Sequence, residues 1–235
     1  MFDIQNGANY SSKCPLAFPI LGLNDSSSTA TWGMDGLTDY SNNGHPLVTG
    51  NTFNSQGMVC AHAAGNSAET NVFEPDNFTF VICLNIPASP SQTAYIFSNF
   101  TPAAAPYAGI RLVQSTAGAG LLHVATGSST SPTVTEVIIP SITGGPTLFS
   151  GTASSSEVTV TRSSGTLIST PVTGGRVKNT GSFLLNGSPV SSVNYGVDGV
   201  IIGLAFYNTV LSSTVQTDKR EAMRSWAASK GIIVP

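Results

Sequence analysis

The sequence predicts an all-β, two-sheet sandwich closed by one C-terminal α-helix, and three observations carry that prediction. Short alternations of apolar and polar residues recur along the chain with Gly and Pro clusters between them, the pattern of strands joined by turns. The polarity of the 235 residues comes from 31 Ser, 26 Thr and 24 Gly, while charged residues make up 9%, far below the roughly 25% usual in soluble domains. Ser, Thr and Gly suit turns and exposed strand faces and serve long solvated helices poorly. Helical periodicity is confined to one C-terminal stretch. A hydrophobic share of 40% suffices for a two-sheet core, and all-β sandwiches of this length commonly form one domain.

Residues 1–24 read as an irregular arm, because Pro15 and Pro19 block helix and central strand alike. Residues 25–235 read as the domain. Thr31–Gly57 is dense in Gly, Asn and Asp, which predicts connected loops and short edge strands. Regular strands begin where Phe78, Phe80, Ile82 and Leu84 alternate with Thr79, Val81 and Cys83, giving one strongly apolar face. Ala94–Ser98, Gly109–Gln114, Gly120–Thr126 and Val134–Ile139 continue the series. Glu157–Arg162, Thr166–Thr170, Ser182–Leu185 and Val200–Tyr207 complete it. Gly144-Gly145, Gly174-Gly175 and Asn186-Gly187 supply turns, the last a strong tight-turn pair. No internal repeat is evident, which argues against propellers and solenoids.

The helix is predicted over 213–230, with Ser212 or Ser213 as cap and Gly231 as stop. Val215, Ala222, Met223, Trp226 and Ala227 share one face at helical spacing, with Asp218, Lys219, Glu221, Arg224 and Lys230 over the rest. Such a stripe packs the helix on the sandwich as a lid. The same stripe, through Trp226 and Met223, also fits an interface with another subunit.

Nine basic against twelve acidic residues give a net charge of −3. No basic patch forms; the nearest pair, Lys219-Arg220, sits inside the helix. A nucleic-acid partner is therefore not expected, since phosphate binding needs clustered Lys and Arg. Cys14, Cys60 and Cys83 are odd in number and never form a CxxC, so reduced, half-buried thiols are expected. The start lacks a basic n-region, and its apolar run from Pro15 to Leu23 is broken by Pro19; neither a signal peptide nor membrane insertion is expected.

Two stretches resemble the laminin G-like, concanavalin A-like superfamily. Trp32-Gly-Met-Asp-Gly-Leu-Thr-Asp-Tyr-Ser-Asn-Asn-Gly-His45 is similar to an opening found in bacterial and phage members, with Asn42 where that pattern usually has Gly. Gly199-Val-Ile-Ile-Gly-Leu-Ala-Phe-Tyr-Asn-Thr-Val-Leu-Ser-Ser213 is similar to the closing strand that precedes a terminal helix. The resemblance implies a two-sheet concanavalin A-like jelly roll with one C-terminal α-helix. It implies function only loosely, because the fold serves lectins, glycosidases, adhesion modules and virion proteins.

Catalysis is not expected. β-Glucanases of this fold place paired carboxylates on one strand, where one acts as nucleophile and another as general acid. The five Glu residues (69, 74, 136, 157 and 221) never fall in that E-x-D-x-x-E pattern, and Pro75 interrupts Glu74-Pro75-Asp76. There is no G-x-S-x-G elbow, and His45, His62 and His123 lack neighbouring acids in the sequence. No cofactor is expected. Calcium is the one metal worth carrying: Asp35, Asp39 and Asn42, with Asn43, cluster on a loop. Asx-turns would produce the same letters. Tyr40, Tyr107 and Tyr195 are loop aromatics of the kind that stack on sugar faces.

Two roles follow from the resemblance. The first is a non-enzymatic surface or structural protein of a tailed-phage virion, a capsid decoration or minor tail accessory that contacts other virion proteins and forms a homo-oligomer. Low charge, the proline-containing arm and the missing signal peptide motivate it, and the virion surface is the expected location. The second is a carbohydrate-binding lectin or receptor-binding adhesion module that recognises cell-surface glycans. A virion lectin satisfies both. A glycoside hydrolase ranks last for want of carboxylates.

Overall fold

A computed structural model describes residues 20–101 and 106–235. Most of the expected N-terminal arm, with Cys14, lies outside the described residues. Ile20 and Leu23, at its described end, are fully buried in the domain, so the packed unit begins earlier than residue 25.

The strands run β1 (Ser28–Trp32), β2 (Val48–Thr49), β3 (Met58–Cys60), β4 (Ala68–Phe73) and β5 (Phe78–Ile86). Then come β6 (Ala94–Ser98), β7 (Ile110–Gln114), β8 (Gly120–Ser128), β9 (Ser131–Ile139) and β10 (Gly145–Ala153). The last are β11 (Glu157–Arg162), β12 (Leu167–Pro171), β13 (Ser182–Leu185) and β14 (Gly199–Tyr207), followed by the helix α1 (Ser213–Ser229). They form two antiparallel sheets. The first has the order β1-β14-β5-β10-β11-β12, with β3 also on β14; the second has the order β2-β4-β13-β6-β7-β8-β9. This is the expected two-sheet jelly-roll sandwich with a C-terminal helix.

The core between the sheets is built on β5. Phe78, Phe80, Ile82, Leu84 and Ile86 point into it and are at most 1% exposed. Rings from three other strands close around them: Phe78 lies 5.2 Å from Phe183 and 5.1 Å from Phe206, and Phe80 lies 5.1 Å from Phe97. Edge-on and offset contacts of this kind add to the burial energy, about 0.5–1.5 kcal/mol per pair. Gly151 faces Phe80 across the β5–β10 pair, where an added Cβ would come within 2.4 Å of the ring. Only glycine leaves room there.

The other face of β5 is apolar too, contrary to the one-sided strand the alternation predicts. Val81 and Cys83 join Leu148, Ile202, Ala205 and Tyr207 in a second core under α1, with Met223, Trp226 and Ala227 from the helix. Met223 and Trp226 are 0% and 1% exposed against the protein's own sheet. The expected subunit interface through them is thus corrected: a side chain enclosed by its own domain offers nothing to a partner. Trp226 also donates from Nε1 to the carbonyl of Gly33 at 3.0 Å. No helix among the described residues is long and apolar enough to cross a membrane.

The helix ends follow the sequence closely. Ser212 caps the N-terminus, its hydroxyl accepting from the Val215 amide. At the other end Gly231 adopts φ +77°, with Gly231 N–H bonded to the Ala228 carbonyl and Ile232 N–H to that of Ala227. That is the Schellman arrangement, in which a left-handed residue satisfies the last carbonyls. Lys219, expected off the apolar stripe, and its neighbour Arg220 are 6% and 5% exposed. Lys219 meets Asp25 at 3.1 Å, and Arg220 donates to the Ser150 hydroxyl at 2.8 Å. The helix therefore clamps the sheet with polar as well as apolar groups.

Four strands go beyond the sequence reading. β1 and β3 flank the stretch read as loops and short edge strands, and β4 lies between residues 58 and 77, where no strand is expected. β10 follows Gly144-Gly145, which marks its start: Gly144 turns at φ +89° and the strand begins at the next residue. Its buried Ser150 and Thr152 disguise it, and both are satisfied, by Gln216 and Arg220 for the first and by Thr159 for the second.

Candidate functional site

α1 packs over the first sheet, so the outer face of the second sheet lies on the opposite side of the sandwich. A groove of about 360 Å³ lies on it. Its floor comes from Tyr95 on β6, Arg111 on β7, and Leu121 and His123 on β8. Gln92 and Thr93 before β6 form one wall, and Ser192, Val193 and Tyr195 of the loop after β13 form the other.

The register dictates which side chains meet. Arg111 sits directly opposite His123, and His123 opposite Glu136 on β9. Directly opposed residues of antiparallel strands share a face, so the three form a row. Arg111 Nε donates to His123 Nδ1 at 2.9 Å, and His123 Nε2 meets Glu136 Oε2 at 2.6 Å. An arginine nitrogen only donates and a carboxylate only accepts. His123 is therefore the neutral tautomer with its proton on Nε2. Burial pushes its pKa below the ordinary 6.5, helped by Arg111 and opposed by Glu136.

Arg111 is held from three sides. Besides His123, it donates from one terminal nitrogen to the Tyr95 hydroxyl at 3.3 Å, and its guanidinium lies 4.5 Å from the Phe100 ring centre. Its other terminal nitrogen makes no hydrogen bond among the described residues, in a half-buried side chain that faces the groove. Opposite, Tyr195 is fixed by its carbonyl, which accepts from the Tyr95 amide at 2.8 Å, and by its ring, 5.6 Å from His62. No carboxylate lines the groove itself.

The three tyrosines singled out in the sequence occupy different places. Tyr195 lines the groove. Tyr40 lies against Trp226 at 6.5 Å, and its hydroxyl donates to Asp35 at 2.7 Å. Burial, then Asp35, pushes that phenol up to about 12. Tyr107 stacks on Phe100 at 5.6 Å.

The expected calcium ligands are not assembled as a ligand set. Asp39 turns inward and is 8% exposed. Its Oδ1 accepts from the amides of Thr31 and Ser41, and its Oδ2 from the Ser41 hydroxyl and the His45 amide, at 2.9–3.1 Å. Those four donors occupy the lone pairs a cation would need. Asp35 is engaged with Tyr40, and Asn42 sits in the left-handed region at φ +64° as a turn residue. Among the described residues no group of three or more His, Cys, Asp or Glu is placed to hold a metal. The Trp32–His45 stretch is a structural loop, closed by Asp39 and by Trp32 Nε1 donating to the His45 carbonyl at 2.8 Å.

Sequence reasoning missed Arg111, and it took His123 for a histidine without an acid. The acid is thirteen residues away, across the β8–β9 hairpin. Counting back from a turn at Ser129-Thr130 would have paired them, but Ser128-Ser129-Thr130-Ser131 carries no Asn-Gly or Asp-Gly signal to fix that turn.

No protein-family model matches the chain, and no curated protein matches it in sequence. Solved structures do. A sialidase of Trypanosoma rangeli aligns over 86% of this chain and 33% of its own, at TM-score 0.60 and 12% identity. The binding domain of botulinum neurotoxin DC, solved in complex with SialylT, aligns over 84% of this chain and 52% of its own, at 0.60 and 8%. The CBM40 of Ruminococcus gnavus IT-sialidase, bound to α2,3 sialyllactose, aligns over 62% of this chain and 83% of its own, at 0.50 and 13%. The chain thus spans about a third of the sialidase and about half of the toxin chain. At such identities the likeness is one of fold, and in fold the chain is a two-sheet β-sandwich like those it aligns with.

Proposed function

We propose that the protein is a non-enzymatic glycan-binding module, that the groove on the second sheet is its site, and that its ligands carry a carboxylate. One observation carries this reading: a guanidinium held from three sides in a groove beside a tyrosine ring, with one terminal nitrogen free of hydrogen bonds among the described residues. Arginine's planar fork matches a carboxylate bidentately. A tyrosine beside it offers a face for a sugar ring, and Gln92, Thr93 and Ser192 offer hydrogen bonds to hydroxyls. Two of the aligned structures were solved with sialylated ligands, which makes sialylated glycans the first class to test. The non-enzymatic reading is supported by a groove lined without a carboxylate pair.

The test is a broad glycan array followed by calorimetry. Carboxylated glycans should bind, and Arg111→Met should weaken them by about ten- to a hundredfold, the worth of a charge-assisted hydrogen-bond pair. Tyr195→Ala should weaken charged and neutral sugars alike. A clean negative across the array would sink the reading.

We place this module on a virion surface, as a decoration or tail accessory that associates with itself and with other virion proteins. The resemblance of Trp32–His45 to phage members and the 9% charged share support that setting. Mass spectrometry of density-purified particles from the source culture should find the protein at defined stoichiometry; its complete absence would leave the free lectin.

A further inference from the structure

We propose that His123 is the positioning residue of the groove: as a neutral acceptor it holds Arg111 in its ligand-facing pose, and its protonation releases Arg111 and discharges the ligand in acid. The inference rests on the glycan reading only for the ligand that reports it.

The argument is one of donors and acceptors. His123 stands between an obligate donor, Arg111 Nε at 2.9 Å, and an obligate acceptor, Glu136 Oε2 at 2.6 Å. Only the tautomer with a free Nδ1 lone pair satisfies both. That lone pair is also the only place where a second proton can go. Once it is filled, Nδ1–H faces Arg111 Nε–H, donor against donor and cation against cation. What then remains for Arg111 is a long hydrogen bond to the Tyr95 hydroxyl, at 3.3 Å, and the Phe100 ring. Neither fixes the plane of the guanidinium, so its fork leaves the position in which it faces the groove.

The groups around His123 from each packed element are Arg111 on β7, Glu136 on β9, Tyr95 on β6 and Tyr195 on the loop after β13. Burial and Arg111 disfavour the imidazolium, while Glu136 favours it. The ligand carboxylate stays ionised throughout the range in which histidine titrates. The change in binding therefore belongs to the protein.

The experiment combines nitrogen NMR of the His123 and Arg111 side chains in the free protein with sialyllactose affinity over the same range. At neutral pH His123 should be the Nε2–H tautomer. From about pH 7.5 to about pH 4.5, Arg111 Nε should shift with the His123 midpoint. Sialyllactose affinity should fall about tenfold or more through that midpoint. Glu136→Gln should move both midpoints to lower pH, since it removes the charge that favours the imidazolium. His123→Gln offers a carbonyl and an amide without titrating, so it should bind at neutral pH and stay flat into acid. Affinity that is flat through the His123 midpoint of the wild type, or a free protein in the Nδ1–H tautomer, overturns the proposal. If sialyllactose binds at no pH while the tautomer and the coupled titration hold, the glycan reading falls and the positioning role stands.

Discussion

Removing the Glu74 carboxylate should strand a buried cation. Glu74 has a side chain 0% exposed, paired with Arg176 at 4%. Its Oε2 also accepts from Asn99 Nδ2 at 3.0 Å and from the Asn179 amide at 3.1 Å. Arg176 itself donates to the carbonyls of Asp76 and Ala153, at 2.6 and 3.0 Å. The pair staples the stretch before β13 to the end of the sandwich, and Asn99 Oδ1 passes the restraint on to the Ile110 amide at the start of β7. Glu74→Ala leaves the guanidinium unpaired and the Asn179 amide without its acceptor. Breaking one partner of a buried pair costs about 3–5 kcal/mol, much of the 5–15 kcal/mol roughly available to a domain. Arg176→Met should cost a similar amount, because a buried carboxylate is then left with neutral donors. The double variant removes both charges and should cost less than the sum of the singles by about 2 kcal/mol or more. Urea unfolding of all four proteins measures this, with equal m-values as the check that one transition is compared. A coupling below about 0.5 kcal/mol would refute the claim that the two charges depend on each other.

Trp226→Ala should destabilise by about 3–5 kcal/mol, because it empties the centre of the second core and removes one of the two donors to the Gly33 carbonyl; calorimetric unfolding checks it, and a loss under about 1 kcal/mol would contradict the lid. Alkaline pH should weaken the fold from the thiols' side. Burial pushes Cys60 and Cys83 up to about 12 from an ordinary 9.0, so the unfolded chain loses these protons first and stability declines as pH rises between those values. Lys230, pushed down to about 8 by burial from 10.5, acts in the opposite sense between its own two values. Cys60→Ala should therefore flatten the decline of the urea midpoint; an unchanged slope would assign it elsewhere.

How much of this was legible in the sequence depended on whether the signal was local. The helix was, because Ser212, Gly231 and the Val215–Ala227 stripe act within a few residues of one another. So was a strand that alternates cleanly, Glu157–Arg162, with its Val and Thr on opposite faces. β10 was hidden because its buried Ser150 is satisfied by Gln216 and Arg220, more than sixty residues away, and its Thr152 by Thr159 on the next strand. The Asp39 loop misled through its letters, since a carboxylate that closes an Asx-turn and one that binds calcium look alike in sequence. Arg111 and His123 became a site only through register, which needs strand pairing that no single strand encodes.

The placement of cations argues that the groove is a site rather than an accident of packing. Arg176, Lys219 and Arg220 serve as internal struts, with side chains or whole residues at most 8% exposed. Lys230 donates to the Gly33 carbonyl and lies 4.8 Å from the Trp226 ring centre. Each of these holds elements together through hydrogen bonds or ion pairs within the protein. Arg111 differs. It stands on the face of the sandwich opposite α1, its plane is set by a histidine whose own orientation is set by a glutamate, and one of its terminal nitrogens makes no hydrogen bond among the described residues. Ordering a long side chain costs conformational entropy, and a lone surface ion pair returns little. A strut would spend those donors within the protein, as Arg176 does on Asp76 and Ala153. An arginine held this firmly in a groove with a donor still free, in a chain with so few charges, is arranged for something that arrives from outside.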